Sequence, residues 1–306
     1  MGEFDAIRPY NDAEVPAVME RLLGDQEFPG VVRPAVQCAL RREARGIQCV
    51  DTLQHKLEPY LDRVIESSTL NVTYSGLDNL RQGQAYLFLA NHRDIVMDPA
   101  FVNYALYHTG HPTPRLAIGD NLLQRPFVAD LMRLNKCFIV RRSLTGRREK
   151  LQAYQIWIAQ SEGRAKDGLD ETDPAIIKMF CMSRKGEEFG PLIRSLNLVP
   201  VSIAYEWDPC DLLKARELEQ KARLGEYHKE PGEDDRSIAM GLTGYKGRVH
   251  VAFGEPLQDD YADAKAVARA VDKQILTNYR LSPSNYLAIE QQGQIPAQVA
   301  AWRNDF

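Results

Sequence analysis

Cysteine is scarce in this chain of 306 residues, and its five copies, Cys38, Cys49, Cys137, Cys181 and Cys210, are odd in number and include no C-x-x-C pair. That argues against a disulfide framework and a cysteine-built zinc cage, and reduced thiols in the cytoplasm are the simpler reading. Long apolar runs are also missing. The longest, such as residues 85–90, are the length of a strand, against the about 18 residues that span a bilayer. The N-terminal stretch is charged and has no apolar run, unlike a secretory signal, and Ala6 stands where a myristoylation signal built on Gly2 needs Ser or Thr. Positive charge is not in excess: 38 Lys and Arg face 42 Asp and Glu, for a formal charge of -4. That balance argues against a nucleic-acid surface. There is no internal repeat and no low-complexity segment. These absences leave a protein that is soluble or rests on a membrane surface.

What is present is a hydrophobic fraction of 44%, ample for a large core in one big domain or two smaller ones. Residues 1–68 read as helical. Asn11 or Asp12 can cap a helix running to about Leu23, and Pro34 suits an early helical position before residues 35–45. Asp51 can cap a third helix over 52–67, with Leu53, Leu57, Leu61, Val64 and Ile65 on one face. From residue 69 onward, short apolar runs alternate with helical ones. Strands are predicted over 70–74, 85–90, 115–118, 137–140, 155–159, 198–204 and 249–253, and helices over 99–107, 126–133, 211–226 and 262–280. Residues 229–235 read as a polar loop and the tail after Pro283 as irregular. This alternation predicts an α/β fold: a central, largely parallel mixed sheet flanked by helices, with a helical N-terminal segment (1–68) before the α/β domain (69–306). Residues 141–154 join two strands that should be parallel, near the minimum of about a dozen residues for a crossover. That connection either holds a very short helix or is a longer loop cut short.

Chemistry concentrates at the strand ends. One apolar strand ends in Asn91 and His92, and a helix begins near Asp98 or Pro99. Open α/β sheets place ligands at the carboxyl ends of their parallel strands. A histidine there, with a carboxylate a few residues on, forms a dyad in which the carboxylate fixes the tautomer and stabilises the imidazolium. Asp94 and Asp98 are both within reach, and the same residues also suit a plain turn with Asp98 as a helix cap. Arg141 and Arg142 follow the strand 137–140 directly, which suits bidentate capture of phosphate or, with Arg147 and Arg148, a solvated basic loop. The strand 155–159 leads into Glu162, Gly163, Arg164 and Lys166. There Gly163 lets the backbone take a positive φ or approach a ligand, and Glu162 can orient an arginine or a substrate hydroxyl. The run 198–206 reads as a buried central strand in which Pro200, having no N–H, marks a start or a bulge. Glu206 at its end reads as structural.

These four segments, in this order across about residues 70–257, resemble the glycerolipid acyltransferase superfamily, which includes glycerol-3-phosphate and 1-acylglycerol-3-phosphate acyltransferases. The Asn-His motif with its following Asp is matched by Asn91 and His92. The Phe-Ile-x-Arg motif is matched by Phe138, Ile139, Val140 and Arg141, and the Glu-Gly-x-Arg loop is approximated by Glu162, Gly163 and Arg164. The Val-Pro-Val strand is matched by Val199, Pro200 and Val201. Residues 200–206 and 247–256 look like the glycerol-3-phosphate branch. Two departures stand out. The family places four residues between His and Asp, whereas five separate His92 from Asp98 and Met97 stands in the expected place. A bulge of one residue at the turn would restore the contact, with Asp94 as the fallback partner. Arg164 also follows Gly163 directly, one residue early.

The resemblance implies His92 as the general base, oriented by Asp98. It implies Arg141, Arg142, Glu162, Gly163, Arg164 and Lys166 as the substrate-binding set around the phosphate of glycerol-3-phosphate or 1-acylglycerol-3-phosphate. The acyl donor is acyl-CoA or acyl carrier protein, with no cofactor and no metal. A lipid product extends the cytoplasmic location to the inner face of the cell membrane as a peripheral protein. Residues 28–32 with Arg41, Arg42 and Arg45 would serve that, unless the N-terminal helices simply cover the catalytic domain. Two other classes stay open. One is a non-catalytic lipid or acyl-CoA-binding protein on the same fold, with the altered His–Asp spacing marking lost activity. The other is a metal-dependent phosphohydrolase using His92, Asp94 and Asp98. The lack of further well-spaced ligands counts against it, since His108 and His111 lie past the predicted helix. No G-x-S-x-G elbow supports a serine hydrolase.

Overall fold

The computed structural model of the chain describes residues 7–25, 27, 42, 46–119, 125–140, 155–161, 163–182, 184 and 186–291. Two helices come first, α1 (Val15–Gly24) and α2 (Val50–Ser68). The sheet and its helices then follow in order: β1 (Asn71–Ser75), β2 (Leu87–Ala90), α3 (Met97–His108), β3 (Arg115–Gly119), α4 (Pro126–Leu134), β4 (Cys137–Val140) and β5 (Ile156–Ala159). The chain continues through α5 (Pro174–Cys181), α6 (Phe189–Ser195), β6 (Leu198–Tyr205), α7 (Asp211–Leu224), α8 (Glu233–Thr243), β7 (Arg248–Phe253), α9 (Ala264–Asn278) and α10 (Pro283–Gln291).

The seven strands lie in the order β1-β7-β6-β2-β5-β3-β4. β6, β2, β5, β3 and β4 are all parallel, while β7 runs antiparallel to β6 and carries β1 parallel to itself. Parallel strands covered on both faces read as unbroken apolar runs. β2 and β6 do so, and every residue of both is buried. On one face Phe88, Ala90, Val201 and Ile203 meet Phe101, Val102, Ala105 and Leu106 of α3. On the other, Leu87, Leu89, Ile158 and Leu198 meet Ile177 and Phe180 of α5, Ile193 of α6, and Val267, Val271 and Ile275 of α9. Each such fully buried side chain contributes about 1.5–3 kcal/mol, so the sheet is clamped at β2, the strand that delivers His92. A third cluster joins Val18, Leu22 and Leu53 of α1 and α2 to Phe127 and Leu134 of α4. Arg21 closes it by pairing with Asp130 at 2.7 Å.

Pro200 sits inside β6 without a bulge. Its carbonyl accepts from the N–H of Gly254, where the ladder to β7 runs out beyond the Val201–Phe253 rung. The N–H that proline lacks would have pointed to that same finished edge. Several sequence expectations are corrected. α2 starts at Val50, and its cap is Cys49, whose sulfur accepts from the N–H of Thr52, rather than Asp51. The 229–235 stretch is a loop only up to Gly232, because Glu233, Asp234 and Asp235 open α8, where acidic side chains favour the positive end of the helix. The tail after Pro283 is helical as far as Gln291 (α10), with proline in its first position and the Asn285 side chain accepting from the N–H of Ser282, and residues 292–306 lie outside the described residues. α5 and α6 had no counterpart in the sequence reading. β3 lies between β4 and β5, so the strands joined by residues 141–154 are not neighbours. That connection lies outside the described residues, as does the helix expected over 35–45 apart from Arg42. Among the described residues no helix is long and apolar enough to cross a membrane.

Gly76 has φ +74°, and a Cβ there would lie 1.8 Å from the carbonyl oxygen of Phe253. Gly225 has φ +84° with open space around it. Gly76→Ala is expected to cost about 2–4 kcal/mol from backbone strain plus collision, and Gly225→Ala only about 1–2 kcal/mol. Urea unfolding of the two variants measures the difference, and equal losses would show that β1 is not pressed against β7 at this turn.

Candidate active site

β2 does not stop at Ala90. The Asn91 amide donates to the Ile203 carbonyl at 2.9 Å and accepts from the Ile203 N–H at 2.7 Å, adding a side-chain rung that ties the strand end to β6. The chain then turns, and two carboxylates organise the turn. Oδ1 of Asp94 accepts from the N–H groups of Val96 and Met97 at 2.9 and 2.8 Å, which satisfies donors at the start of α3. Asp98, on the first turn of α3, reaches back. Its Oδ2 accepts from the N–H of Arg93 at 2.6 Å and of Asp94 at 2.8 Å, and lies 2.8 Å from Nδ1 of His92. Its Oδ1 accepts from the hydroxyl of Tyr205 at 2.7 Å. The five-residue spacing therefore brings Asp98 to His92, while Asp94 acts as the cap.

The donor inventory sets the tautomer. Asp98 is wholly buried, and the two N–H groups and the phenol on it are all donors, so it accepts from Nδ1–H of His92. Nε2 is left with its lone pair. The imidazole side chain is 13% exposed and meets the Trp157 indole edge-on at 5.8 Å. Asp170 accepts from the His92 N–H at 3.3 Å. The histidine is thus fixed at both backbone and ring, with one basic nitrogen unused.

Charge is packed around this pair. Burial, and then repulsion from Asp98, raises the pKa of the Asp94 carboxyl. Burial likewise raises that of Asp170, with Arg93 opposing. Arg93 lies over the Tyr279 ring and donates to its hydroxyl, so it braces the turn against the segment after α9. α7 is inverted for a surface helix: it buries Lys214 and Glu217 and exposes Leu212 and Leu218. Lys214 donates to the Arg93 carbonyl at 3.0 Å and pairs with Asp208. Lys246, fully buried, donates to the Gly244 carbonyl; burial lowers its pKa, and the Asp94 charge opposes that.

The sequence-predicted residues divide. His92 and Asp98 are brought together. Gly163 takes φ +81°, the left-handed conformation its residue type allows. Lys166 pairs with Glu217 of α7 at 3.2 Å, and its pKa falls through burial and then the neighbouring Arg164 charge. It is therefore anchored by a carboxylate. The Arg164 charge also opposes the burial that raises the pKa of the Cys210 thiol. Arg141, Arg142 and Glu162 lie outside the described residues, as do residues 28–32, Arg41 and Arg45. Glu206 holds Arg248 at 2.9 Å and is structural as read. His108 pairs with Glu58, and His111 is buried in the following loop. Among the described residues no group of three or more His, Cys, Asp or Glu could hold a metal ion. Sequence reasoning missed Tyr205, Asp170 and Lys214. The signal available for Tyr205 was a hydroxyl ending the apolar strand that runs beside Asn91.

Residues 71–172 match the family model described as Acyltransferase, a stretch that contains the whole His92–Asp98 turn and Arg164. The glycerol-3-phosphate acyltransferase of Aeromonas hydrophila subsp. hydrophila is 27% identical over 202 residues, 61% of this chain and 24% of that protein. That of Haemophilus ducreyi is 26% identical over 243 residues, 71% of this chain and 28% of that protein. Over these residues the chain is similar to acyltransferases of the glycerol-3-phosphate type. It spans about a quarter of the length of those curated relatives. A crystal structure of the 1-acyl-sn-glycerophosphate (LPA) acyltransferase from Thermotoga maritima aligns over 85% of this chain and 84% of that one, with a TM-score of 0.43 and 15% identity.

A Cβ on Gly241 of α8 would lie 2.0 Å from Oδ2 of Asp94. Gly241→Ala should lower stability by about 1–3 kcal/mol through overpacking against the turn. A thermal-unfolding midpoint equal to that of the wild type would show that α8 is not seated there.

Proposed function

We propose that this chain is an O-acyltransferase that moves a fatty acyl group from a thioester, acyl-CoA or acyl carrier protein, to the hydroxyl of glycerol-3-phosphate or 1-acylglycerol-3-phosphate. The observation that carries the reading is the buried Asp98 carboxylate holding Nδ1 of His92 at 2.8 Å at the carboxyl end of a central parallel strand. In the proposed reaction Nε2 takes the proton from the acceptor hydroxyl as its oxygen attacks the thioester carbonyl. Asp98 stabilises the imidazolium that results, and the tetrahedral intermediate collapses by expelling the thiolate, which takes up a proton. No covalent enzyme intermediate is needed. Arg164 is assigned to the acceptor phosphate, with Arg141 and Arg142 joining it from their loop, so that the hydroxyl is held against Nε2. Glu162 and Gly163 shape that loop, and Lys166 supports it through Glu217. The reaction is proposed to run at the cytoplasmic face of the membrane, since its product is a lipid.

A positioned general base contributes about 10²–10⁴-fold. His92→Ala should therefore reduce acyl transfer by at least about a hundredfold while the folded structure, followed by circular dichroism, is retained. The assay is consumption of labelled acyl-CoA or acyl carrier protein with a panel of phosphate-bearing acceptors, with products identified by mass spectrometry. Near-normal turnover in that variant removes the base, and thioester binding without turnover in the wild type favours the carrier reading. Arg164→Ala should raise KM for the phosphorylated acceptor about tenfold or more with little change in KM for the donor; equal effects on both would place Arg164 elsewhere.

A further inference from the structure

Asp98 presents two oxygens with different duties. Oδ2 receives Nδ1–H of His92 and the N–H groups of Arg93 and Asp94, all from the chain just before it. Oδ1 points away from that turn into the core, where a bare carboxylate oxygen would be strongly unfavourable. Among the described residues its hydrogen-bond partner is the hydroxyl of Tyr205, from a strand more than a hundred residues later. We propose that Tyr205 is a positioning residue for the reaction: its hydroxyl, donated to Oδ1 of Asp98 at 2.7 Å, sets how strongly the carboxylate holds the imidazolium form of His92. The inference rests on the reading of His92 as the general base.

Three features support a tuning role beyond packing. Tyr205 is the last residue of β6, paired with Val249 of β7, so its backbone is held by the sheet. Its ring meets Phe101 edge-on at 5.8 Å and 79°, and Phe101 lies one helical turn after Asp98 on α3. Strand, phenol and carboxylate are therefore one rigid unit. Burial, and then the Asp98 and Asp94 charges, hold the phenol pKa well above its ordinary value, so the hydroxyl stays a donor across any assay range. The other charged groups around the pair are Asp94 and Arg93 in the turn, Asp170 after β5, Asp208 after β6 and Lys246 before β7. None of them is changed by a substitution at position 205, so a change in pH behaviour there reads the Tyr205–Asp98 bond.

The sign follows from charge. A donor on Oδ1 draws off part of the carboxylate's negative charge. Removing it leaves more charge to stabilise the imidazolium, so His92 should hold its proton to higher pH. Tyr205→Phe should move the acid limb of kcat/KM upward by about half to one pH unit. KM for both substrates should be unchanged, because Tyr205 is buried in the sheet behind Asp98. Site-specific 3,5-difluorotyrosine at position 205, a stronger donor of nearly the same shape, should move the limb downward, and it carries the test if the phenylalanine variant folds poorly. His92→Ala is assayed in parallel. An inactive His92→Ala together with an unmoved acid limb in both position-205 variants overturns the role of Tyr205 while sparing the base. An active His92→Ala overturns the base reading and this inference with it.

Discussion

The geometry of this protein depends on keeping one carboxylate buried. Asp98 has no exposed surface, and such a group is tolerable only when its oxygens are met by donors. The donors come from three places: two backbone N–H groups of the turn before α3, the imidazole that ends β2, and the phenol that ends β6. Each arrives correctly only if the β2 turn, the start of α3 and the β2–β6 pairing are all in place. The fold is thereby tied to the site: the same bonds that make Asp98 acceptable in the core fix the His92 tautomer and leave Nε2 basic.

The surroundings continue that logic. Asp94 takes the helix-capping duty, which frees Asp98 to reach backward, and Gly241 of α8 leaves room for the second carboxylate. Arg93 braces the turn against Tyr279, and Lys214 holds the Arg93 carbonyl from α7. α7 turns Lys214 and Glu217 inward and leucines outward because its inner neighbours are charged loops rather than an apolar face. Lys166, anchored to Glu217, connects the glycine-bearing loop after β5 to that helix.

Much of the fold was legible locally. Every predicted strand is present with ends within two residues, because strands buried on both faces write themselves as short apolar runs between turn residues. The helices that escaped notice were the short α5 and α6, and those opening with residues that also suit loops: the acidic start of α8 and the Ser282–Pro283 start of α10. The strand order was not legible. The insertion of β3 between β4 and β5, and the reversal of the β1–β7 pair, are decided by pairings between distant segments that no local pattern encodes.

For the site, the sequence by itself determined which residue types stand at the strand ends: a histidine after an apolar strand, acidic residues at the next helix start, and a glycine able to take a positive φ. It also determined the family resemblance those residues carry. Tertiary structure decided which carboxylate serves the histidine. Sequence distance favoured neither Asp94 nor Asp98; the side chain that reaches back from the first turn of α3 to the end of β2 is Asp98, because Asp94 is spent on the helix N–H groups. It alone decided that Tyr205 completes the pair, since a contact across 107 residues of chain exists only once β6 has been laid beside β2.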